Sequence, residues 1–229
     1  MDTRTAPAEE TTAPFGQRWA SRLDTGPEGR GTAAAATVLR QLGDVDLAVY
    51  RAVAATPTPT LDAPVRRLSD AADRSRLWLA VAAAMATLGG RPGRRAAGAG
   101  LLAVAVDSAV VNGILKAVAR RRRPDRESAR VPTDRRVLMP ASRSWPSGHA
   151  ASGFAFATAV GQVLPAAALP LRVLASAVGY SRVHTGVHFP GDVVTGAVVG
   201  ATVGEAVACG LWRVHAVPRL SLGPRRGTS

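Results

Sequence analysis

The sequence is poor in three residue types, and each shortage narrows the possible structures. Its one cysteine, Cys209, excludes an internal disulfide and a zinc site built from clustered cysteines. Lysine also occurs once, as Lys116, so arginine carries nearly all of the positive charge. Aromatic residues make up 4% of the chain, and the long apolar stretches are rich in alanine and glycine instead. Small residues of this kind favour close helix–helix contact in lipid.

Positive charge exceeds negative charge by a wide margin. A net charge of +13 is typical of proteins that meet nucleic acid or anionic lipid headgroups, or that place arginine-rich loops beside membrane spans. Hydrophobic residues reach 47% while charged residues still make up 20%, so the two kinds must be segregated along the chain. The charges do cluster, and they leave long uncharged stretches between them.

The two ends of the chain differ from its middle. Residues 1–36 contain almost no large apolar side chains, which predicts a disordered segment. No apolar core follows the N-terminal charges, so we expect no signal peptide. Residues 213–229 are basic and contain proline and glycine, which predicts a solvated tail. Residues 37–212 are predicted to form one membrane domain.

Two amphipathic segments open this domain. Between Val38 and Val53 apolar residues recur at helical spacing with charged residues interleaved. This pattern predicts a helix that is too charged to span a bilayer and that lies in the membrane interface. The run Thr56-Pro57-Thr58-Pro59 ends it, and a second short amphipathic helix is predicted from about Leu61 to Asp73.

Five apolar segments follow, and they predict an all-α fold: a polytopic transmembrane helical bundle of about five spans. A soluble all-α protein is the alternative, but several near-continuous runs of about 20 apolar residues are hard to bury in a chain of this length. Asp107, Asn112 and Glu205 lie inside these segments, where we expect them to form interhelical hydrogen bonds. The predicted spans are Leu77–Gly90, Ala96–Leu115, Gly148–Leu171, Pro170–Gly186 and Val193–Trp212.

Three polar motifs lie at the ends of these spans. Two spans separate the loop after the second apolar segment from the loop after the fourth, so both loops are expected on the same face of the bundle. The motifs are Lys116-x6-Arg123-Pro124, Pro146-Ser147-Gly148-His149 and Ser181-Arg182-x5-His188-x3-Asp192.

The third motif carries the most specific chemistry. His188 and Asp192 are four residues apart, close enough for the carboxylate to hold one ring nitrogen and leave the other free to attack. A transferred phosphoryl group spreads its charge over three oxygens. Lys116, Arg123 and Arg182 would supply three cations for that charge, two of them able to bind bidentately. This combination indicates phosphoryl transfer without a metal.

The second motif would complete the reaction. Ser147 and Gly148 lie where a helix begins, and backbone N–H groups at a helix N-terminus favour an anion. His149 would protonate the leaving oxygen from the side opposite His188, and would then act as the base when water hydrolyses the phosphohistidine.

Each motif alone has a simpler interpretation. Arg120–Arg123 is also the pattern of a juxtamembrane anchor, and Ser147 could be an ordinary N-cap. His184, His188 and Asp192 have the order of metal ligands. However, a proline and a glycine precede Asp192 and break the helix that such a metal site would need, so we expect no metal and a structural His184.

Together the three motifs resemble the signature of the type 2 phosphatidic acid phosphatase / vanadium haloperoxidase superfamily, with no departure at a signature position between Lys116 and Asp192. The resemblance implies an integral membrane lipid phosphatase of the bacterial branch, with no cofactor and a phosphohistidine intermediate. The implied substrate is a membrane lipid phosphate, phosphatidate-like or a polyprenyl phosphate or diphosphate. The family roles carry over as phosphate binding by Lys116, Arg123, Ser147, Gly148 and Arg182, general acid catalysis by His149, nucleophilic attack by His188, and orientation of that nucleophile by Asp192.

Two other functions stay open at this point. A vanadate-dependent haloperoxidase shares the motifs, although those relatives are soluble and much longer. A non-catalytic basic membrane protein could bind anionic lipid or nucleic acid through Arg120–Arg136, which explains the charge but not the paired histidines. We therefore expect the bilayer and a lipid substrate as partners, and no nucleic acid. The sequence leaves the lipid headgroup and the oligomeric state open.

The arginines also bear on membrane orientation. The loop from Lys116 to Ser147 carries nine of them, more than the loops of the opposite face, and short arginine-rich loops stay cytoplasmic. Bacterial members of the family commonly act on the outer face instead. From the charge we predict a multi-pass protein of the inner cell membrane with its active site facing the cytoplasm.

Overall fold

A computed structural model describes residues 30–119 and 121–216, and within these ranges the chain is helical or irregular, with no strand. The predicted all-α class is therefore confirmed. The chain divides into two units, Met1–Val45 and Asp46–Ser229, and every site contact described below lies in the second. Seven helices occur in the described residues: α1 Arg30–Ala55, α2 Pro59–Ala71, α3 Arg76–Leu88, α4 Gly90–Val118, α5 Gly148–Val163, α6 Ala168–His184 and α7 Pro190–Ala216.

The boundaries of both predicted end segments differ from those in the structure. Residues 30–36 belong to α1, so the disordered segment predicted for residues 1–36 extends too far. The reason is the run of four alanines from Ala33 to Ala36, since alanine has the highest intrinsic helix propensity. Helix α7 likewise continues to Ala216, four residues into the predicted tail. Residues 1–29 and 217–229 lie outside the described part of the chain.

The five predicted spans correspond to α3–α7, but the structure supports only part of that topology. Helix α4 and the Pro190–Leu211 portion of α7 are long and apolar enough to cross a membrane. In each of them 22% of the most apolar window is buried, whereas the core helix of a soluble protein would be mostly buried. Helices α3, α5 and α6 have 13, 16 and 17 residues, fewer than the ~20 that a bilayer core needs. Five crossings therefore remain a prediction.

One predicted span is wrong in its length. The uncharged run Gly148–Leu171 is not one helix, because α5 ends at Val163 and a 3₁₀ turn over Pro165–Ala167 leads into α6. Proline cannot donate a backbone hydrogen bond and ends a helix that approaches it. The turn itself is apolar, so the absence of charge did not reveal the boundary.

The main core joins α3, α4, α5 and α6. The rings of Trp78 and Phe156 pack with their centroids 5.4 Å apart, and both residues are buried. Polar side chains within the bundle bond between helices, as predicted for two of the three. Ser152 donates to Asp107 (3.3 Å) and Gln162 donates to Glu205 (2.7 Å), while Asn112 is exposed.

Helices α5 and α7 approach each other through a row of glycines on α7, spaced four residues apart. A Cβ atom at these positions would lie 2.0–2.6 Å from backbone oxygens of α5, closer than real Cβ contacts allow. This contact holds the start of α5 against the start of α7, where Ser147 N donates to Asp192 O (2.9 Å). The glycine–oxygen pairs are Gly196 with Ser147, Gly200 with Ala151, and Gly204 with Ala155.

We predict that Gly200→Ala lowers stability by about 1–3 kcal/mol, because overpacking forces the two backbones apart. The matched control is Gly210→Ala on the same helix, where a new Cβ would meet nothing within 4 Å. That control should be neutral or slightly stabilising, since alanine favours the helix over glycine. Thermal unfolding of the two variants in detergent measures the difference, and equal midpoints would contradict the close contact.

Candidate active site

The three motifs come together where four helices end. Lys116 lies in the last turn of α4, just after a π-helical stretch, Ala109–Leu115. π-Helical turns are frequent at functional sites, and they change the direction in which the following side chains point. Arg182 lies in the last turn of α6, whereas Ser147 and Asp192 lie at the starts of α5 and α7.

His188 and Asp192 form the centre of the site. Both side chains are buried, and His188 Nδ1 donates to Asp192 Oδ2 at 3.4 Å. The opposite ring nitrogen, Nε2, lies 3.1 Å from Arg123 Nη1. A guanidinium only donates hydrogen bonds, so Nε2 must be the unprotonated nitrogen that accepts. The two contacts select one tautomer, in which Nε2 keeps its lone pair for attack.

Arg123 is itself firmly held. Its Nη1 also donates to Val187 O (2.9 Å), and its Nε donates to Ser142 O (2.8 Å). The Ser142 hydroxyl lies 3.2 Å from Arg123 Nη2 and 3.3 Å from Lys116 Nζ, which links the two cations of the first motif. Lys116 in turn reaches the start of α5, because a Cβ on Gly148 would lie 3.5 Å from its ammonium nitrogen.

Four buried donors lack a hydrogen-bond partner in the described structure, and two of them belong to the three motifs. Ser147 Oγ makes no hydrogen bond, although the residue occupies the N-cap position of α5 and is fully buried. The N-cap interpretation therefore does not account for its hydroxyl. Arg182 Nε is also unpartnered, while Arg182 Nη1 donates to Ser69 Oγ (2.6 Å). Buried unsatisfied donors are costly, and an anion such as phosphate would satisfy both.

His149 follows at the start of α5, and its Nε2 donates to Asp73 Oδ1 at 3.1 Å. Asp73 belongs to the short turn between α2 and α3. The second histidine of the site thus also carries a carboxylate partner, on a segment that no motif includes.

The Asp192 carboxylate is held by more groups than the sequence suggested. Arg121 Nη1 donates to Oδ1 (2.8 Å), while Ser144 Oγ and Phe189 N (3.0 Å) donate to Oδ2. The Arg121 guanidinium also pairs with Asp46 and lies 4.3 Å from the centre of the Phe189 ring. Arg121 therefore supports the His188–Asp192 pair. The interpretation of the Arg120–Arg123 run as a membrane anchor does not hold for Arg121.

His184 makes its hydrogen bonds to side chains outside the three motifs, as predicted for a structural residue. Its Nε2 donates to Asp62 Oδ1 (3.1 Å), and its Nδ1 accepts from the Tyr180 hydroxyl (3.3 Å). Asp62 also pairs with Arg135 Nε (2.8 Å). This buried group ties α2 to the end of α6 and so steadies the loop that carries His188. Among the described residues there is no cluster of three His, Cys, Asp or Glu side chains suited to a metal ion.

Other arginines of the long loop are also internal donors. Arg126 donates to Val137 O (2.8 Å), Arg136 donates to Val131 O (2.8 Å), and Arg135 donates to Thr56 O (2.7 Å). These side chains hold the loop in its folded shape.

The His188 ring is expected to stay neutral over a wide pH range. Burial lowers the pKa of His188 from 6.5 to about 4, and the Asp192 hydrogen bond and the Arg123 charge act in opposite directions on it. Below about pH 6.5 the unfolded chain takes up this proton first, so the contribution of His188 to stability falls between pH 6.5 and pH 4. Histidine-selective NMR in detergent should show one resonance, lost in His188→Gln, that does not titrate between pH 5 and pH 8. A midpoint near 6.5 would contradict the buried neutral ring.

Sequence reasoning missed several supporting residues: Asp46, Ser69, Asp73, Arg121, Ser142 and Ser144. Arg121 lies in a run of four arginines, and nothing local distinguishes it from its neighbours. The partners on α1, α2 and the following turn lie outside every motif. Arg121 lies inside the first motif at a position that the motif does not specify, and Ser142 and Ser144 lie a few residues before Ser147.

The helical fold is similar to the folds of two proteins of known structure. The helical fold is similar to the crystal structure of a transmembrane PAP2 type phosphatidylglycerolphosphate phosphatase from Bacillus subtilis, with a TM-score of 0.60 at 24% identity over 79% of this chain and 91% of that one. It is also similar to Aquifex aeolicus LpxE, with a TM-score of 0.55 at 27% identity over 70% of this chain and 93% of that one.

Curated sequences give a second comparison. The chain is 35% identical over 166 residues to decaprenylphosphoryl-5-phosphoribose phosphatase of Mycobacterium tuberculosis, covering 72% of this chain and 89% of the relative. It is 39% identical over 156 residues to the protein of the same name from Mycolicibacterium smegmatis, covering 66% and 78%. The family model described as PAP2 superfamily matches residues 97–215, a range that contains all three motifs. This match extends over more than half of the chain, and the chain belongs to the PAP2 superfamily.

Proposed function

We propose that this protein is a membrane phosphatase that hydrolyses the phosphate monoester of a polyprenyl-phosphate-linked sugar. One observation carries the reaction type: an unprotonated His188 Nε2 beside Arg123, with the unpartnered donors Ser147 Oγ and Arg182 Nε in the same site. The substrate class rests on the two mycobacterial relatives, which are named for a decaprenylphosphoryl-5-phosphoribose phosphatase activity. The relatives' names give no support to the haloperoxidase alternative.

The proposed reaction has two displacement steps at phosphorus. Lys116, Arg123 and Arg182 hold the phosphate, and His188 Nε2 attacks as the ester P–O bond breaks. His149 gives a proton to the leaving sugar oxygen, so the sugar departs as an alcohol. Water then attacks phosphorus and loses a proton to His149, and the P–N bond to His188 breaks. Inorganic phosphate leaves, and His188 regains its lone pair.

The protein is proposed to work in the inner cell membrane as a multi-pass enzyme. Its apolar helices and its PAP2 relatives indicate membrane association. The exposed apolar residues of α1 fit the predicted interfacial position of that helix. We propose a site that faces the cytoplasm, on the basis of the nine arginines between Lys116 and Ser147.

Cysteine labelling tests this orientation. Ser128 is a suitable position because it is exposed and its hydrogen bonds are local, to Asp125. Ser142 is unsuitable, since its hydroxyl contacts Lys116 and Arg123. In a Cys209→Ala background, Ser128→Cys should resist a membrane-impermeant thiol reagent in intact cells and react after lysis. Labelling in intact cells would place the site on the outer face.

Phosphate release in detergent tests the reaction and the substrate class. The panel contains decaprenylphosphoryl-5-phosphoribose, phosphatidate, phosphatidylglycerophosphate and undecaprenyl diphosphate. We expect decaprenylphosphoryl-5-phosphoribose to be hydrolysed with the highest kcat/KM. A higher kcat/KM for another lipid would change the proposed substrate class. No release from any of them would refute the phosphatase.

The same assay tests metal dependence. We predict that activity survives EDTA, because Lys116, Arg123 and Arg182 supply the positive charge that a metal would otherwise provide. Vanadate should inhibit, since it mimics the five-coordinate transition state. Loss of activity in the chelator, restored by a divalent cation, would indicate a different mechanism.

A further inference from the structure

Asp73 is the one acidic side chain that contacts His149 in the described structure. Its Oδ1 accepts the N–H of His149 Nε2 at 3.1 Å, yet 53% of the Asp73 side chain is exposed. About half of the Asp73 side chain is therefore accessible to a bound molecule. The contact is direct, and it joins two residues 76 positions apart in the sequence.

The backbone around Asp73 is held in an unusual shape. Arg74 and Ser75 both have left-handed conformations, with φ values of 51° and 59°. Each costs roughly 1–2 kcal/mol for a residue other than glycine, so the surrounding packing must maintain the turn. Four residues before Asp73, Ser69 is anchored to Arg182 by the 2.6 Å hydrogen bond. The chain is thus attached to the site at two points, Ser69 and Asp73.

The position of Asp73 relative to the reaction follows from in-line displacement. Attacking and leaving atoms lie on opposite sides of phosphorus, and the proposed function puts His188 on one side and His149 on the other. Asp73 hydrogen-bonds to His149 and so belongs to the leaving-group side, while its charge also acts on Arg182 from there. A carboxylate would repel the phosphate itself, so it is not part of the phosphate pocket.

A carboxylate at this place discriminates between leaving groups by their chemistry. It accepts hydrogen bonds from hydroxyl groups, and these charge-assisted bonds are stronger than neutral ones. It repels a leaving oxygen that is itself part of a phosphate, as in the lipid monophosphate expelled from a diphosphate, because the negative charge then lies directly beside Asp73. When substrate binds, the His149 N–H must turn from Asp73 to the leaving oxygen, and Asp73 is then free to accept from a neighbouring hydroxyl.

We propose that Asp73 is a specificity-determining residue, which binds hydroxyl groups of a polyol leaving group beside His149 and disfavours a leaving oxygen that belongs to a second phosphate. This inference rests on the proposed phosphatase function. It adds which part of the site recognises the alcohol product. It selects sugar phosphate esters over diphosphates.

The test compares Asp73→Ala with wild type on decaprenylphosphoryl-5-phosphoribose, whose leaving oxygen belongs to a hydroxyl-bearing sugar, and on undecaprenyl diphosphate, whose leaving oxygen belongs to a phosphate. We expect kcat/KM for the sugar ester to fall about tenfold or more, the value of a lost hydrogen bond to a charged group. The value for the diphosphate should stay equal or rise. Vanadate should inhibit the variant as well as it inhibits wild type, which shows that the phosphate pocket is intact.

Asp70→Ala is the matched control. Asp70 is exposed and lies on the same segment, where its charge acts on Arg182 as that of Asp73 does. Removing it alters the local charge and should not change the ratio of the two substrates more than about twofold, because no leaving-group contact is lost. If Asp73→Ala does not fold, Asp73→Asn keeps the shape and should shift the ratio in the same direction by about threefold.

The outcomes separate this inference from the proposed function. Equal losses on both substrates would mean that Asp73 only supports His149, and would overturn the specificity role. If Asp70→Ala shifts the substrate ratio equally, the effect comes from local negative charge in general. That outcome would also overturn the specificity role of Asp73. If wild type releases phosphate from neither substrate, the phosphatase itself is refuted, and this inference is refuted with it.

Discussion

His188→Ala should abolish turnover, lowering kcat by about 10³-fold or more, because the proposed reaction forms its bond to phosphorus at His188 Nε2. The His188 ring is buried, and its two nitrogens are assigned by Asp192 on one side and Arg123 on the other. The measurement is phosphate release by purified protein in detergent. His149→Ala should also lose activity, but it should retain more binding of a phosphate analogue than Arg182→Ala does.

A phosphohistidine provides direct evidence for the same step. Rapid acid-free quenching of wild type with a ³²P-labelled substrate should leave an alkali-stable, acid-labile phosphoprotein, which His188→Ala lacks. His184→Gln is the matched control, since His184 bonds to Asp62 and Tyr180 and its replacement keeps a donor at the same place. That variant should remain active, with a lower thermal midpoint. Full activity in His188→Ala would refute the assignment of the nucleophile.

Asp192→Asn has the second largest expected effect, a loss on the order of 10²–10⁴-fold in kcat. An amide can donate to His188 Nδ1, which would move the ring proton to Nε2 and remove the lone pair needed for attack. It also leaves the Phe189 N–H without the carboxylate oxygen to which it donates at 3.0 Å, while the amide oxygen can still accept from Arg121. Because the substrate phosphate is held by other residues, KM should change far less than kcat.

Arg121→Gln distinguishes positioning from electrostatic stabilisation. Arg121 contacts Asp192 and Asp46, and no contact joins it to the residues assigned to phosphate. We expect a smaller loss in kcat than for Asp192→Asn, with vanadate inhibition unchanged.

Asp192→Asn activity within tenfold of wild type would show that the carboxylate does not orient the nucleophile.

Some of this organisation could be predicted from residue spacing. Helical periodicity located α1 and α2, and uncharged runs located α3–α7, since both patterns are local. The pairing of His188 with Asp192 also followed from four residues of separation. The boundary after Val163 did not follow, because the turn before α6 is as apolar as the helices that it joins.

The sequence by itself determined the helical class, the three motifs and the chemistry that their residue types permit. Only the tertiary structure decided which arginine of the 120–123 run supports Asp192, and that Ser69 and Asp73 reach Arg182 and His149. The physical reason is distance along the chain. Arg121 pairs with Asp46 across 75 positions and Arg182 bonds to Ser69 across 113, and such contacts arise from helix packing and leave no period in the sequence.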